Sequence, residues 1–416
     1  MIVILCIDLK SYYASVECAL RGLDPFKTNL VVADRKRGNG SIVLAVTPCM
    51  KSHGAKSRCR IFELPKNVYP IYAKPRMKMY IEYSKAIYKI YLRYVSKEDI
   101  HVYSIDEAFL DLTCYMKYYG KEITEIAKEI LDTIYQETKI TATAGIGENM
   151  FLAKVGLDIL AKHNKSNIGY VDNIIFKEKI WMHEPITDIW GIGVGMQKRL
   201  LNIGITNLKG IYDFGLDKMN DLFGVNGVEL YKHSIGYDDS IVKNENSYVP
   251  MNKSIGNGQV LFTDYNFKDA FIILEEMTYK MVVDMHKKKI VGDTVYIGVR
   301  YSKDIGDGFS CQSKLLKKTN SFNLIMDEVR KLYFKNVLNL PIRNIFVRVT
   351  GIQKEEYVIL DLFSDPVKEI KEKKLFNSIV EIQKRFGKNA INKAISLTEN
   401  ATLIKRNQTI GGHNAI

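Results

Sequence analysis

The sequence contains no C-x-x-C pair. Its six cysteines (Cys6, Cys18, Cys49, Cys59, Cys114 and Cys311) are scattered, and several sit inside apolar runs. That pattern argues against structural zinc and disulfides, and for a reducing, cytoplasmic setting in which cysteine is a small core residue. There is no window of about 20 apolar residues, so no segment is suited to crossing a membrane. The apolar run at the N-terminus is short, reaches Asp8 without a basic leader, and fits a buried strand better than a signal peptide. Residues 165–240 lack strand signals.

Length and positive charge are what the chain has in quantity. With 416 residues it is too long for one core, and about two to four domains are expected. A hydrophobic content of 46% is that of a globular protein, and 26% charged residues are too few for wholesale disorder. The net charge of +13 favours a polyanionic partner.

Chemistry concentrates at two places. Ile2–Ile7 is an apolar strand ending in Asp8, and Ile100–Tyr103 is a β-rich run that meets the adjacent carboxylates Asp106 and Glu107 before a second apolar run, Ala108–Leu112. Neighbouring residues on an extended chain point to opposite faces, so Asp106 and Glu107 reach one site only if the backbone turns there; a tight hairpin would do that. Three acidic groups at strand ends, on strands far apart in sequence, suit a pair of Mg²⁺ ions.

Two longer motifs contain these acids: Asp8-x-x-x-Tyr12-Tyr13-Ala14-Ser15-Val16-Glu17, and Ser104-Ile105-Asp106-Glu107-Ala108-Phe109-Leu110-Asp111. Together they resemble the two signature motifs of Y-family (DinB/UmuC-like) translesion DNA polymerases, and their order and separation fit as well. The resemblance implies a right-hand architecture of mixed α/β and α+β domains. Residues 1–9 and 74–164 would form the palm, an α/β sheet covered on one side, with fingers inserted at 10–73. A helical thumb would follow at 165–240, then a linker at 241–252, a little finger at 253–352 and a tail at 353–416. In the little-finger segment the elements run β-α-β-β-α-β, which suggests a ferredoxin-like domain.

The resemblance also assigns roles. Asp8 and Asp106 would bind both of two Mg²⁺ ions, with Glu107 on the primer-end metal and the Leu9 carbonyl as a further ligand. Lys154 matches a lysine that contacts the triphosphate. The segment Val46–Lys56 matches the finger segment over the triphosphate and brings Thr47 and Lys51 to the nucleotide. Here a tyrosine usual in the DinB branch is replaced by Pro48 and an arginine by Lys51, which keeps the charge without bidentate geometry. With Ser57–Phe62, these departures look closest to the UmuC-like Gram-positive UV-damage-repair branch. Tyr12 and Tyr13 fall at the nucleotide: Tyr13 matches the steric gate under the sugar, and Tyr12 is expected to pack inward.

For DNA, Trp190-Gly191-Ile192-Gly193-Val194-Gly195 followed by a helical run looks like a helix-hairpin-helix, whose exposed N–H groups could hold a phosphate. Residues 253–353 carry 16 Lys and Arg against 10 Asp and Glu, with Lys253, Lys303, Lys314 and Arg348 among the backbone-tracking candidates. No segment remains for a proofreading exonuclease, and the resemblance therefore implies low-fidelity synthesis past damaged template bases in DNA repair of the SOS type. The expected partners are primer–template DNA and a dNTP, with the chain a monomer. Ile359-Leu360-Asp361-Leu362-Phe363 resembles the peptide by which bacterial polymerases hold the sliding clamp; Leu360, Leu362 and Phe363 would be its anchors, unless Val358–Phe363 is a last strand of the preceding domain. A UmuC-like subunit that needs a partner, a non-catalytic DNA-binding scaffold and a nucleotide cyclase are the competing readings.

Overall fold

The computed structural model describes residues 2–245, 253–303, 305–356 and 365–415. The proposed clamp peptide, with Leu360, Leu362 and Phe363, lies outside the described residues, as does much of the expected linker. The chain divides into two units, Met1–Tyr248 with His413–Ile416, and Val249–Gly412.

In the first unit the strands are β1 (Ile4–Leu9), β2 (Leu30–Val32), β3 (Ala45–Val46), β4 (Ile71–Ala73), β5 (Ile100–Val102), β6 (Glu107–Asp111), β7 (Ala142–Gly147) and β8 (Ile168–Tyr170). Five of them form a sheet in the order β5-β6-β1-β7-β8, and β3-β2-β4 form a small separate sheet. β1 is antiparallel to both β6 and β7. Every residue of β7 is buried, and in β1 only Asp8 is not. A sheet buried in this way is covered on both faces, which corrects the expectation of one covered side. Two helices explain this cover. Residues Ile123–Thr138 bury Ile123, Ile126, Ala127, Ile130, Leu131 and Ile134, one apolar stripe of helical period. The second helix starts at Met150, where the Asn149 side chain caps it by accepting from Leu152 N at 2.8 Å. Its Met150, Ala153, Leu157 and Ala161 share a cluster with Ile4, Cys6 and Phe109 of the sheet.

The second helix lies unusually close to β7, and glycine makes that possible. A Cβ on Gly145 would stand 2.0 Å from Ala153 O and 2.3 Å from Leu157 N, and one on Gly147 would stand 2.6 Å from Ala153 N. The helix continues through a π-helical turn, Gly156–Leu160, into a 3₁₀ turn, Ala161–His163. Residues 165–240 are mainly short helices, but β8 also falls there and pairs in parallel with β7. Three residues are too few to show a strand period, so this strand has no local signature.

The second unit contains β9 (Ile255–Tyr265), β10 (Ile290–Tyr301), β11 (Phe309–Thr319) and β12 (Ile342–Thr350), with helices Phe267–Lys288 and Phe322–Asn336 between them. The element order is the expected one. The sheet order is β11-β10-β12-β9, antiparallel throughout. The first strand is therefore an edge strand beside the last, whereas a split βαβ arrangement makes the first and third strands neighbours. Only the element order follows the ferredoxin-like expectation. Of the expected tail, residues 365–412 belong to this unit, and Phe376, Ile379 and Leu403 are buried in its core. Glu276, fully buried on helix Phe267–Lys288, accepts from Thr402 N at 2.8 Å and Leu403 N at 3.0 Å and so ties the segment down.

Candidate active site

Asp8 and Glu107 are directly opposite each other in the β1–β6 register. Opposed residues of an antiparallel pair project from the same face. That face is the one on which Ile4, Cys6 and Phe109 are buried under helix 150–163, and the two carboxylates extend it beyond the apolar cover. β5 and β6 are antiparallel neighbours, so the chain turns between them at residues 103–106. The turn is pinned by Leu9 N donating to Asp106 O at 2.9 Å and by Ser104 Oγ donating to Asp106 Oδ1 at 2.6 Å. Asp8, Asp106, Glu107 and Leu9 thus meet at one end of the sheet.

Helix 150–163 faces them with charge. Lys154 Nζ lies 2.7 Å from Glu107 Oε1 and 3.0 Å from Asp158 Oδ2. Lys162 Nζ lies 3.1 Å from Asp8 Oδ2 and 2.7 Å from Asp158 Oδ1. Cys6 Sγ donates to Glu107 Oε1 at 3.3 Å. Burial pushes the Asp8 and Glu107 carboxyls up from their ordinary values, and the neighbouring ammonium groups, Lys162 and Lys154 respectively, oppose the rise. Burial would lower both lysines, yet the surrounding acids hold them above their ordinary value. Each carboxylate thus has one ammonium group that offsets part of the effect of its burial. Lys10 and Lys51 are pulled below their ordinary value by burial while Asp8 counteracts it, so two more cations lie within electrostatic reach of Asp8.

Among the described residues no three Asp, Glu, His or Cys side chains already converge as a metal-binding group. The reason is visible in the ion pairs: Lys162 holds Asp8 and Lys154 holds Glu107. The donor set nonetheless fits a hard divalent cation. It consists of carboxylate oxygens, and burial leaves two of them in need of positive charge.

The tyrosines follow β1 through a sharp turn with Ser11 at φ 50°. Tyr12 is buried and donates to Tyr80 O at 2.6 Å. Tyr13 is half-buried and stacks on Tyr80 at 4.6 Å, within electrostatic reach of Asp106 and Arg58. The expected nucleotide contact of Thr47 is corrected. Its side chain is 0% exposed and caps helix Pro48–Ser52. Its hydroxyl donates to Thr28 O at 2.7 Å and accepts from Leu30 N at 3.2 Å, which leaves no free face. Lys51, in that helix, is exposed. The Tyr12 side chain, sealed by its own hydrogen bond, likewise presents no polar group to a ligand.

Neither sequence motif contains Lys162 or Asp158, and Lys10 is one of the unspecified positions of the first. A signal for two of them existed: Lys154, Asp158 and Lys162 recur every fourth position, a spacing that places side chains on one helix face. Glu17, at the end of the first motif, turned out to be a structural pin. It is 0% exposed, pairs with Arg76 at 2.6 Å and with Arg21, and accepts from Tyr80 Oη at 2.8 Å. Burial would raise its carboxyl, but the hydrogen bonds from Arg76, Arg21 and Tyr80 outweigh that and hold it below the ordinary value. A depressed native value stabilises the fold above the ordinary carboxylate range, and the benefit is lost as pH falls through the native value. Glu17→Gln should therefore lower stability at pH 7, at the low end of the ~3–5 kcal/mol typical of breaking a buried pair, since each arginine keeps about a third of its side chain in water. Melting curves of parent and variant should converge as pH falls through the lowered native value of Glu17; a gap that does not narrow would assign the loss to packing.

The remaining candidates lie elsewhere. Gly191, Gly193 and Gly195 are exposed, with Gly191 at φ 88° and Gly193 starting helix Val194–Leu201. In the second unit Val295, Ile297, Val299, Ile345, Val347 and Val349 are buried in the core, so the alternating residues face the opposite side of the sheet. Lys314, opposite Thr294, and Arg348, opposite Tyr296, share that open face, and Arg348 lies 5.2 Å above the Tyr296 ring. Lys253 and Lys303 are exposed just outside β9 and β10. No helix among the described residues is long and apolar enough to cross a membrane.

Comparison with known proteins agrees over nearly the whole chain. Residues 7–158 match the impB/mucB/samB family, and residues 252–362 match the impB/mucB/samB family C-terminal domain. A Bacillus subtilis (strain 168) protein named for UV-damage repair, UvrX, is 33% identical over 99% of this chain and 97% of its own. DNA polymerase IV 2 of the same organism is 32% identical over 99% and 98%. A solved Y-family DNA polymerase chimera of Dbh and Dpo4 has a TM-score of 0.65 at 23% identity, covering 85% of this chain and 99% of that one. An insertion ternary complex of Dbh DNA polymerase has a TM-score of 0.53 at 22% identity over the same shares.

Proposed function

Because this chain belongs to the impB/mucB/samB family, that of the Y-family polymerases, and is a DNA-directed DNA polymerase, we propose that it carries out low-fidelity translesion synthesis on damaged templates. The observation that carries the proposal is the juxtaposition of Asp8 and Glu107 in register, with Asp106 tied to Leu9, against the lysines of helix 150–163. In this reading Asp8, Asp106, Glu107 and the Leu9 carbonyl hold two Mg²⁺ ions, whose charge would activate the primer 3′-hydroxyl and neutralise the leaving pyrophosphate. The protein groups do the rest. Ser104 orients Asp106. Lys162, 40% exposed, and the exposed Lys51 are placed to meet triphosphate oxygens. Lys154, only 8% exposed, is better suited to holding Glu107 than to meeting substrate, a shift from its expected role. Palm, fingers, thumb and little finger keep the boundaries given above, apart from residues 365–412, which join the second unit. Clamp binding through Leu360, Leu362 and Phe363, a monomeric state and a cytoplasmic location belong to the same proposal.

The test is primer extension by the purified chain on an undamaged and an abasic template. Extension past the abasic site is expected; failure on both templates would sink the reading. The open face bearing Lys314 and Arg348 is proposed as a phosphate-tracking surface, so primer–template affinity should fall about tenfold or more between 50 and 200 mM salt. Affinity indifferent to salt would count against it.

The sugar gate gives a second expectation. Tyr13 is held by stacking on Tyr80, so its ring is a fixed wall. Tyr13→Ala should admit ribonucleotides, raising their incorporation relative to deoxynucleotides by at least ~10-fold, as removal of a steric clash predicts. The parent and Tyr13→Ala are compared in single-nucleotide insertion with a dNTP and the matching rNTP; unchanged discrimination would place the gate elsewhere.

A further inference from the structure

Asp158 binds no expected substrate group, yet it sits at the centre of the charge around the site. Its two oxygens are divided between two cations, Oδ2 on Lys154 at 3.0 Å and Oδ1 on Lys162 at 2.7 Å. The lysines in turn reach different acids, Lys154 to Glu107 and Lys162 to Asp8. Five side chains thus alternate in sign: Glu107, Lys154, Asp158, Lys162, Asp8. The backbone is adapted to this line. In a regular α-helix, residues four apart drift by about 40° around the axis. The wide π turn at Gly156–Leu160 winds back part of that drift, and π turns gather at functional sites.

We propose that Asp158 is a positioning residue that assigns one lysine to each of the two opposed carboxylates and gives Lys162 a second anchor when it leaves Asp8. The inference rests on the polymerase reading of the same site. The charge balance supports it. Two ammonium groups are shared among three carboxylates, so neither lysine is fully committed to Asp8 or Glu107. Without the charge of Asp158, two lysines face two carboxylates, and each pair closes more tightly. A divalent cation then has to break both pairs. Lys162, no longer held on the helix side, also has no fixed position from which to meet a triphosphate. Lys154, nearly sealed from water, cannot compensate by turning to solvent.

The experiment uses the full chain as Asp158→Asn, Asp158→Glu, Lys162→Ala and the Asp158→Asn/Lys162→Ala pair, each beside the parent. Mn²⁺ binding is followed by electron paramagnetic resonance without nucleotide, and KM for dNTP and kcat by single-nucleotide insertion. Asp158→Asn should raise KM for dNTP about tenfold and weaken Mn²⁺ binding several-fold, with primer–template Kd and melting midpoint near the parent's. Asp158→Glu keeps the charge and should show a smaller rise in KM with kcat unchanged. In the double variant the two KM effects should be less than multiplicative, because both substitutions act through one ion pair. Parent-like KM and Mn²⁺ affinity in Asp158→Asn, or fully multiplicative effects with Lys162→Ala, would overturn the proposal. If Asp158→Asn fails to fold, Asp158→Glu decides: a raised KM at constant kcat supports the assignment, and parent-like kinetics overturn it. A parent that extends no primer would defeat the polymerase reading; the Mn²⁺ comparison then decides, and equal affinities overturn the role of Asp158.

Discussion

Asp106→Ala is expected to reduce primer extension by ~10³-fold or more, while primer–template affinity stays within about twofold, because the group removed would hold the Mg²⁺ ions whose charge neutralises the leaving pyrophosphate. Asp106 is the cleanest of the three acids to remove. Its carboxylate is hydrogen-bonded to Ser104 on a half-buried turn, and its backbone carbonyl, which holds Leu9, is untouched by the substitution. Asp8→Ala and Glu107→Ala should be as inactive, but each also strips a partner from a lysine. Glu107→Ala strands Lys154, which is 8% exposed, so a lower melting midpoint should accompany its loss of activity. Asp106→Ala should melt like the parent. Single-turnover extension, primer–template binding and thermal melting on all three variants separate chemistry from folding. Full activity in Asp106→Ala would remove this end of the sheet as the site of chemistry.

Gly145→Ala is expected to be the most damaging one-carbon change in the first unit. The added Cβ would meet backbone atoms, Ala153 O at 2.0 Å and Leu157 N at 2.3 Å, and backbone cannot rotate away as a side chain can. Helix 150–163 would have to lift from β7. Overpacking of this kind costs about 1–3 kcal/mol, and more where the neighbour is rigid. The same movement would carry Lys154, Asp158 and Lys162 away from Asp8 and Glu107, so activity should fall at least ~10-fold even at temperatures where the variant is folded. Gly193→Ala serves as the comparison: nothing lies within 4 Å of its Cβ position and its φ is −86°, so its melting midpoint should hardly move. The readings are melting midpoint and extension rate for both variants. A parent-like midpoint in Gly145→Ala would mean that the helix does not need its close seat on the strand.

Asp8, Asp106 and Glu107 could be picked out beforehand because each ends or begins a short apolar run, and a period of two with a break in it is a local signal. The βαββαβ order of the second unit was legible for the same reason. Local patterns do not carry register or neighbour order. That Asp8 faces Glu107 is set by how β1 pairs with β6. That β9 is an edge strand beside β12 is likewise set by which strands pair across the sheet. The packing of the tail is not legible locally, because Phe376, Ile379 and Leu403 are separated by polar residues and their burial depends on an apolar surface about a hundred residues earlier in the chain.

By itself, then, the sequence determined the acids of the candidate site, the surplus of positive charge, the lack of C-x-x-C pairs and long apolar runs, and the order of the main helices and strands. These follow from composition and short-range periodicity, which a chain expresses before it folds. The tertiary structure alone decided which lysine answers which carboxylate, that Thr47 and Glu17 are structural, and that two glycines of β7 let helix 150–163 come close enough to matter. Each of these is a contact between residues distant in sequence, and its identity depends on register and on the volume left between packed elements.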